Sequence, residues 1–242
     1  PYLAIGVVLL LVLFAVWMVR MTNAGRKEKK AYEAAKGNLV GSLRRLFSIP
    51  RYREGVFTQF FYVGAQIMCW TFIIQYGTRI FTAQGMTEID AEVLSQKYNI
   101  VAMVIFCLSR FICTFILRYL NAGQLLMTLA VIGGCLTVGV IMLQNIWGMY
   151  CLVAISACMS LMFPTIYGIS LSGLGDDAKF GAAGLVMAIL GGSVLPALQA
   201  SIIDFGEVMG MPAVNVSFVL PLLSFVVISV FGYRTMMRGR KV

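Results

Sequence analysis

The chain has 242 residues, of which 60% are hydrophobic and only 12% are charged, and its mean hydropathy is +0.88. Soluble domains are about 45–50% apolar, so this composition excludes an ordinary water-soluble fold. The net charge of +9 does not indicate nucleic-acid binding, because most of the cations flank apolar segments instead of forming a patch on a polar domain. The chain has no histidine, which removes the most versatile base and metal ligand.

Seven apolar segments near 20 residues long follow one another along the sequence. At 1.5 Å per residue, about 20 helical residues cross a hydrocarbon core of about 30 Å. The first lies in residues 1–20, and a hydrophilic stretch over 21–54 separates it from the others. Six further membrane spans are predicted, at 55–79, 98–118, 122–143, 147–171, 181–203 and 213–234. The pattern predicts an all-α integral membrane protein with a six-helix bundle over 55–242.

The stretch 21–54 is strongly basic. Together with Arg20 it carries ten cations against three glutamates, and five of its apolar residues have helical spacing, which predicts an interfacial helix: Leu39, Val40, Leu43, Leu46 and Phe47. Placing this linker in the cytoplasm puts sixteen of the 19 basic residues on that side. The positive-inside rule therefore predicts a cytoplasmic linker and a cytoplasmic C-terminus.

The order of segments is typical of the second half of a twelve-helix secondary transporter: one helix, a basic inner linker of roughly 35 residues, and six spans with short loops. The first helix would then be the sixth of the full carrier. Such carriers consist of two six-helix halves that rock about a central solute site. We therefore expect the rest of an N-terminal six-helix half, five more spans, outside this chain. The expected partners are that half, a solute and the lipid bilayer, with no nucleic acid.

Four residues of the first span after the linker predict a solute-facing strip. Gln59, Tyr62, Gln66 and Trp70 lie within an arc of about 80° on one helical face. Paired amide donors and acceptors beside an indole suit an uncharged, polyhydroxylated solute such as a sugar. The alternative is that the glutamines make hydrogen bonds between helices, worth about 0.6 kcal/mol each. The remaining predicted substrate contacts are Gln75, Asn99, Tyr167 and Gln199.

Arg110 lies deep in the second of the six spans, where a lone charge costs about 2.5–3.5 kcal/mol. It therefore needs carbonyl or carboxylate partners, and Asp176 and Asp177 in the 172–180 loop are predicted to supply them. Arg118 lies at the same end of the span. These four residues predict an ion pair that opens and closes as the halves rock, and direct contact of Arg110 with substrate is the alternative.

Two later spans contain residues that predict a helix kink or close helix packing. Ser156, Ser160, Pro164 and Tyr167 cluster on one face, and the proline removes a backbone donor, so we expect a kinked helix that faces a cavity. The next span carries small residues that favour close helix packing: Gly181, Gly184, Ala188, Gly191 and Gly192. Asn215 in the last span is expected to be structural.

What the spans lack is equally informative. No Asp, Glu or His lies at the centre of a span, and the six cysteines include no CxxC pair, so we expect no metal, no disulfide frame and no catalytic residue. A membrane enzyme would need a base, nucleophile or metal cluster near an interface. The chain is therefore predicted not to be an enzyme. If the whole protein is a proton symporter, its protonatable carboxylate must lie outside this chain.

Several strings resemble a known family. They are QFFYVGAQIMCWTFIIQYG at 59–77, FPTIY at 163–167, LG with KFG in 174–181, GG at 191–192 and SFVLP at 217–221. Over 55–234 they are similar to the L-fucose:proton symporter family of the major facilitator superfamily. The resemblance implies twelve helices, a bacterial inner membrane, no cofactor, and alternating-access uptake of a neutral hexose with a proton. In this family an aromatic hydroxyl is expected where the chain has Phe163.

The resemblance leaves the sugar open, since relatives carry fucose, glucose, galactose or amino sugars. Two alternatives to a hexose symporter also stay open. One is a nutrient sensor that keeps the transport fold without the flux. The other is a major facilitator carrier of a different small polar solute.

Overall fold

The structure is a computed structural model that describes residues 10, 45–117, 119, 121–208 and 210–239. The architecture below is that of the unit Leu46–Val242. The predicted first span, apart from Leu10, and the predicted linker up to residue 44 lie outside the described residues. Of the five apolar residues that predict an interfacial helix, two are described: Leu46 is buried, whereas Phe47 is 49% exposed.

From residue 50 onward the described chain is almost entirely helical. Its α-helices are α1 (Pro50–Ala83), α2 (Glu88–Ile116), α3 (Ala122–Met142), α4 (Ile146–Met159), α5 (Met162–Leu171), α6 (Ala178–Met187), α7 (Gly191–Ile203), α8 (Ala213–Ser217) and α9 (Val219–Gly239). Short 3-10 helices at Gly175–Asp177 and Ala188–Leu190 precede and follow α6. Strand β1 (Glu207–Val208) pairs antiparallel with β2 (Met211–Pro212), with Glu207 opposite Pro212 and Val208 opposite Met211.

The described helices include six apolar stretches long enough to cross a membrane, which confirms the six spans predicted after the linker. Three of these stretches are single helices, and the other three combine α4 with α5, α6 with α7, and α8 with α9. The first begins at Pro50, earlier than the predicted residue 55. Proline is favoured in the first helical turn, because backbone N–H groups there have no intrahelical acceptor and the N–H that proline lacks is not needed.

Polar side chains hold several helix ends. Thr87 accepts a hydrogen bond from the Asp90 backbone N–H at the start of α2, and Asn145 accepts one from Trp147 N–H at the start of α4. At the end of α3, the Tyr76 hydroxyl donates to the Leu143 carbonyl at 2.6 Å. The nearby Asn215 amide donates to the Val140 carbonyl at 3.1 Å. Since the last carbonyls of a helix have no intrahelical partner, these bonds give Asn215 the structural role that the sequence predicts.

Helix α1 lies at the centre of the bundle, where it packs against α2, α4, α5, α7 and α9. The predicted small-residue stripe accounts for its close approach to α6 and α7. A side chain at Gly184 would collide with the Tyr52 hydroxyl, and one at Gly191 would collide with the Phe60 carbonyl. Only glycine permits such close contact, so the expectation of close packing is confirmed.

Helix α2 is the least enclosed of the spans. Few of its side chains are buried in the described structure, and its exposed side chains include Leu108, Phe111 and Phe115. A helix that is apolar on its exposed side needs a lipid or protein neighbour, because water solvates such a surface poorly.

Candidate substrate-binding surface

The strip of four residues on α1 runs from the core of the bundle to an open surface. Gln59 and Tyr62 are fully buried, while Gln66 and Trp70 are half-buried. The strip therefore faces neighbouring helices at its first two residues and becomes accessible one to two turns later. Among the described residues Gln66 has no hydrogen-bond partner, so its amide is free to bind a ligand.

Tyr62 holds a break in the span formed by α4 and α5. Its hydroxyl donates to the Met159 carbonyl at 2.9 Å. In an unbroken helix this carbonyl would accept the backbone N–H of Phe163, four residues later. Pro164 has no N–H to offer the Ser160 carbonyl and disfavours helical geometry just before it. The predicted kink is thus present, and a tyrosine from another helix bridges it.

Aromatic rings from α1, α2 and α5 lie along the strip. Phe163 stacks on Tyr167, with ring centres 6.2 Å apart and planes 12° apart, and Tyr62 meets Phe163 edge-on. The Trp70 indole meets the Phe106 ring edge-on at 5.0 Å. Flat apolar faces next to amides are a surface on which an uncharged ring with hydroxyl groups can lie.

The indole orientation is set by a partner on α4. Trp70 Nε1 donates to the Ser156 hydroxyl oxygen at 3.3 Å. The sequence places Ser156 and Tyr167 on one face of their span, but it gives no sign that Ser156 binds Trp70. The bond keeps the indole plane beside Gln66, one helical turn earlier.

The remaining predicted substrate contacts lie in different environments. Asn99 on α2 is half-buried and its Oδ1 has no partner among the described groups, whereas Gln75 on α1 is exposed. Gln199 on α7 is fully buried, and its Nε2 donates to the Ser217 hydroxyl at 2.9 Å. That bond ties α7 to α8. Contact of these three residues with a solute stays a prediction.

The predicted ion pair of Arg110 also stays a prediction. Arg110 is exposed, and it lies within Coulombic range of the Tyr62 hydroxyl. No carboxylate among the described side chains lies within ion-pair distance of it. Arg118 and the side chain of Asp176 lie outside the described parts of the chain, while Asp177 takes part in an interaction of its own.

A different ion pair, which the sequence analysis does not predict, joins the first and last helices. Glu54 Oε1 accepts from Arg234 at 2.9 Å and from Arg238 at 3.1 Å. Arg234 and Arg238 are one helical turn apart on α9, so both reach the same carboxylate. The i, i+4 spacing of the arginines indicates in the sequence that they share a helical face. It does not identify their partner, because Glu54 lies 180 residues away from Arg234.

Comparisons with known proteins point in the same direction as this geometry. No protein-family model matches the chain. The chain is 49% identical over 235 residues to the L-fucose-proton symporter of Haemophilus influenzae, an alignment that covers 97% of this chain and 52% of that protein. The chain belongs to the L-fucose:proton symporter family of the major facilitator superfamily. The resemblance inferred from the sequence strings is therefore confirmed.

Two further relatives are less similar in sequence. The L-fucose-proton symporter of Escherichia coli K12 is 29% identical over 96% of this chain, and a glucose/galactose transporter of Brucella abortus is 28% identical over 72% of it. The chain covers 50% and 39% of these two proteins. It thus spans about half the length, or less, of the curated relatives it matches.

Solved structures confirm the fold. A crystal structure of the major facilitator superfamily transporter FucP in the outward conformation matches with a TM-score of 0.76 at 28% identity, covering 97% of this chain and 54% of that one. A crystal structure of a single-residue variant of the E. coli fucose:proton symporter FucP matches with a TM-score of 0.72 at 29% identity. It covers 83% of this chain and 46% of that chain. The bundle is therefore a major facilitator half.

Proposed function

We propose that this chain is the C-terminal half of a carrier that takes up a neutral hexose, L-fucose or a related sugar such as glucose or galactose, together with a proton. The carrier works by alternating access, so its chemistry is binding and rocking rather than bond making, and it needs no cofactor. The N-terminal six-helix half, the sugar and the bilayer are the partners of this chain.

The observation that carries this proposal is the unpaired, half-buried amide of Gln66 beside the fixed indole of Trp70. An unpaired amide is costly in a membrane protein unless it serves a ligand or faces water. The stacked Phe163 and Tyr167 rings extend the same surface. We propose that Gln66, Trp70, Asn99 and Tyr167 form this half of the sugar cavity, and that Gln75 lies at its outer mouth.

We further propose that the carrier lies in the bacterial inner membrane with the C-terminus of the chain in the cytoplasm. Six spans return the chain to its starting side, so the beginning of α1 and the end of α9 share one end of the bundle, hereafter the basic end. It carries Arg51, Arg53, Arg234 and Arg238, whereas Glu88, Asp90 and Glu92 start α2 at the other end. This asymmetry supports a cytoplasmic basic end.

The coupling proton requires a group outside this chain. Described acidic residues lie near helix ends or in loops, as Glu54, Glu88 and Asp204 illustrate. Because an intramembrane proton carrier needs a titratable side chain within the span region, we place that carboxylate in the N-terminal half.

The test is uptake of labelled hexose by the full-length protein reconstituted in vesicles. We expect uptake to accumulate the sugar when the outside is acidic and to fall to equilibration when a protonophore collapses the gradient, because proton entry drives the sugar inward. Binding of hexose without flux would instead identify a sensor. Flux of another polar solute, with none of any hexose, would identify a carrier of different specificity.

A second prediction concerns Arg110. Arg110 acts electrostatically on Tyr62 at the helix break and has no carboxylate partner among the described side chains. We therefore expect Arg110→Ala to slow sugar exchange about tenfold, which is the size of a typical conformational coupling of 1–3 kcal/mol, while changing the sugar Kd less than about threefold. Exchange and equilibrium binding of purified protein measure the two effects. Lys97→Ala, an exposed cation on the same helix, is the control. Equal losses in both measurements would assign Arg110 to the substrate.

A further inference from the structure

We propose that Gln59 is a second polar contact for the sugar, one that the solute reaches only after α1 and α5 separate. This contact lies between the surface around Trp70 and the basic end of the bundle. The inference rests on the proposed transport function and extends it from the binding surface to the path along which the sugar leaves.

The first argument is the state of the Gln59 amide. The residue is 0% exposed, and neither its Nε2 nor its Oε1 has a hydrogen-bond partner among the described groups. A buried polar group without a partner costs about 1–3 kcal/mol, and such groups are rare in native proteins. Neighbouring polar side chains are paired: the Thr58 hydroxyl donates to the Glu54 carbonyl, and the Tyr62 hydroxyl binds Met159. Packing alone does not require an amide at position 59.

The second argument is its position between two contacts of α1 with α5. Toward the basic end, Gly55 packs directly on Ser170. In the other direction, Tyr62 contacts Phe163. Residues three or four apart share a helical face, so Gln59 faces α5 between these two levels. The amide therefore lies beside α5 between Phe163 and Ser170, at about the level of Tyr167.

Complete burial within this unit limits what can reach Gln59. A second half that packs on the outside of the bundle cannot touch a side chain with no exposed surface. Contact with any ligand therefore requires α1 and α5 to move apart. The break after Met159 allows α5 to move separately from α4, because no continuous helical hydrogen-bond ladder joins them there. The hydrogen bond of the Tyr62 hydroxyl to Met159 and the contact of its ring with Phe163 are the restraint that this motion must release.

The chemistry of the contact selects an uncharged ligand. A carboxamide offers two donors and one acceptor oxygen, which matches vicinal hydroxyl groups and gives no charge to balance an ion. The Phe163 ring, on the side of the amide away from the basic end, presents an apolar face to the same solute. The ligand class is thus the one that fits the surface around Gln66 and Trp70, and a single sugar meets both sites in succession.

The leading test is Gln59→Leu in the full-length carrier. Leucine has a similar size and removes the unpaired amide, so the melting temperature is expected to stay or rise. Hexose exchange is expected to fall at least about tenfold, which corresponds to about 1.4 kcal/mol. The hexose Kd is expected to change less than about threefold, because the amide is enclosed when the sugar binds at the surface around Trp70. The control is Thr137→Val on α3, a buried hydroxyl bound to its own helix, which is expected to exchange at the native rate.

Wild-type exchange by the leucine variant would overturn the inference, and so would a Kd that rises by the factor by which exchange falls. The native carrier, assayed in parallel, distinguishes the two proposals. If native protein moves no hexose, the proposed function fails. If native protein exchanges hexose and Gln59→Leu does so equally well, only the role of Gln59 fails.

A labelling experiment decides the matter even if the leucine variant does not fold. In Gln59→Cys, which also lacks the amide and is expected to exchange hexose at a similarly reduced rate, a small hydrophilic thiol reagent is expected to modify residue 59 during this slow exchange and to leave it unmodified without hexose. Peptide mapping by mass spectrometry separates this label from that on the exposed native thiols of Cys107 and Cys135. Modification in both conditions, or in neither while exchange proceeds, contradicts a contact that opens only during transport.

Discussion

Replacing Gln66 by alanine is expected to weaken hexose binding by about 10- to 100-fold, because the amide loses hydrogen bonds worth about 1–3 kcal/mol in a partly dehydrated site. Folding should be little affected, since Gln66 has no partner among the described residues and is half-buried. The measurements are the hexose Kd of purified protein and the amount of folded carrier in the membrane. A stable protein with weak binding is the expected result.

The matched control is Gln96→Ala on α2. Gln96 is exposed, and its amide donates to Glu92 on the same helix, so this variant makes the same chemical change on an outer surface. It is expected to bind hexose as the native protein does. If Gln66→Ala also binds with native affinity, the strip on α1 does not face the sugar, and the proposed cavity is wrong.

Tyr62→Phe is expected to have the largest effect on stability. Phenylalanine keeps the ring that contacts Phe163 but loses the hydroxyl that bridges the break between α4 and α5. The Met159 carbonyl is then left without that partner, at a cost of about 1–3 kcal/mol, which corresponds to a fall in melting temperature of about 2–10 °C. Thermal unfolding of the purified carrier measures it.

The control is Tyr233→Phe, an equivalent loss of a hydroxyl from a tyrosine that is half exposed on α9. Its melting temperature is expected to stay near the native value. A Tyr62→Phe protein that melts like this control would show that the break does not depend on the tyrosine. The conformational restraint assigned to Tyr62 would then have to lie elsewhere between α1 and α5.

Much of the fold follows from local composition. The spans were predictable because a helix that crosses lipid must be continuously apolar for about 20 residues, and Pro164 indicated the broken span because it cannot donate a backbone hydrogen bond. The close approach of α7 to α1 was likewise predictable from Gly191 and Gly192. The sequence could also identify the strip on α1, since helical spacing places its four residues on one face.

The division of that strip was not predictable from the sequence. Helical periodicity predicts which face of the helix a side chain is on, but not how deeply neighbouring helices bury it. Contacts with those helices decide that Gln59 is fully buried while Gln66 is partly accessible. Gln199 illustrates the same limit: its amide reaches Ser217 because the β1–β2 hairpin turns the chain back toward α7. Partners far apart in sequence, such as Glu54 and Arg234, leave no local signal.

The amino-acid sequence by itself determined the membrane class, the number and approximate positions of the later spans, the family and the absence of an acidic residue at mid-span, since these depend on composition and order. Tertiary structure decided which polar groups are paired and which are available. That decision depends on distances between helices: one hydroxyl from α1 completes the break in another span, while an amide one turn away is enclosed without a partner among the described groups.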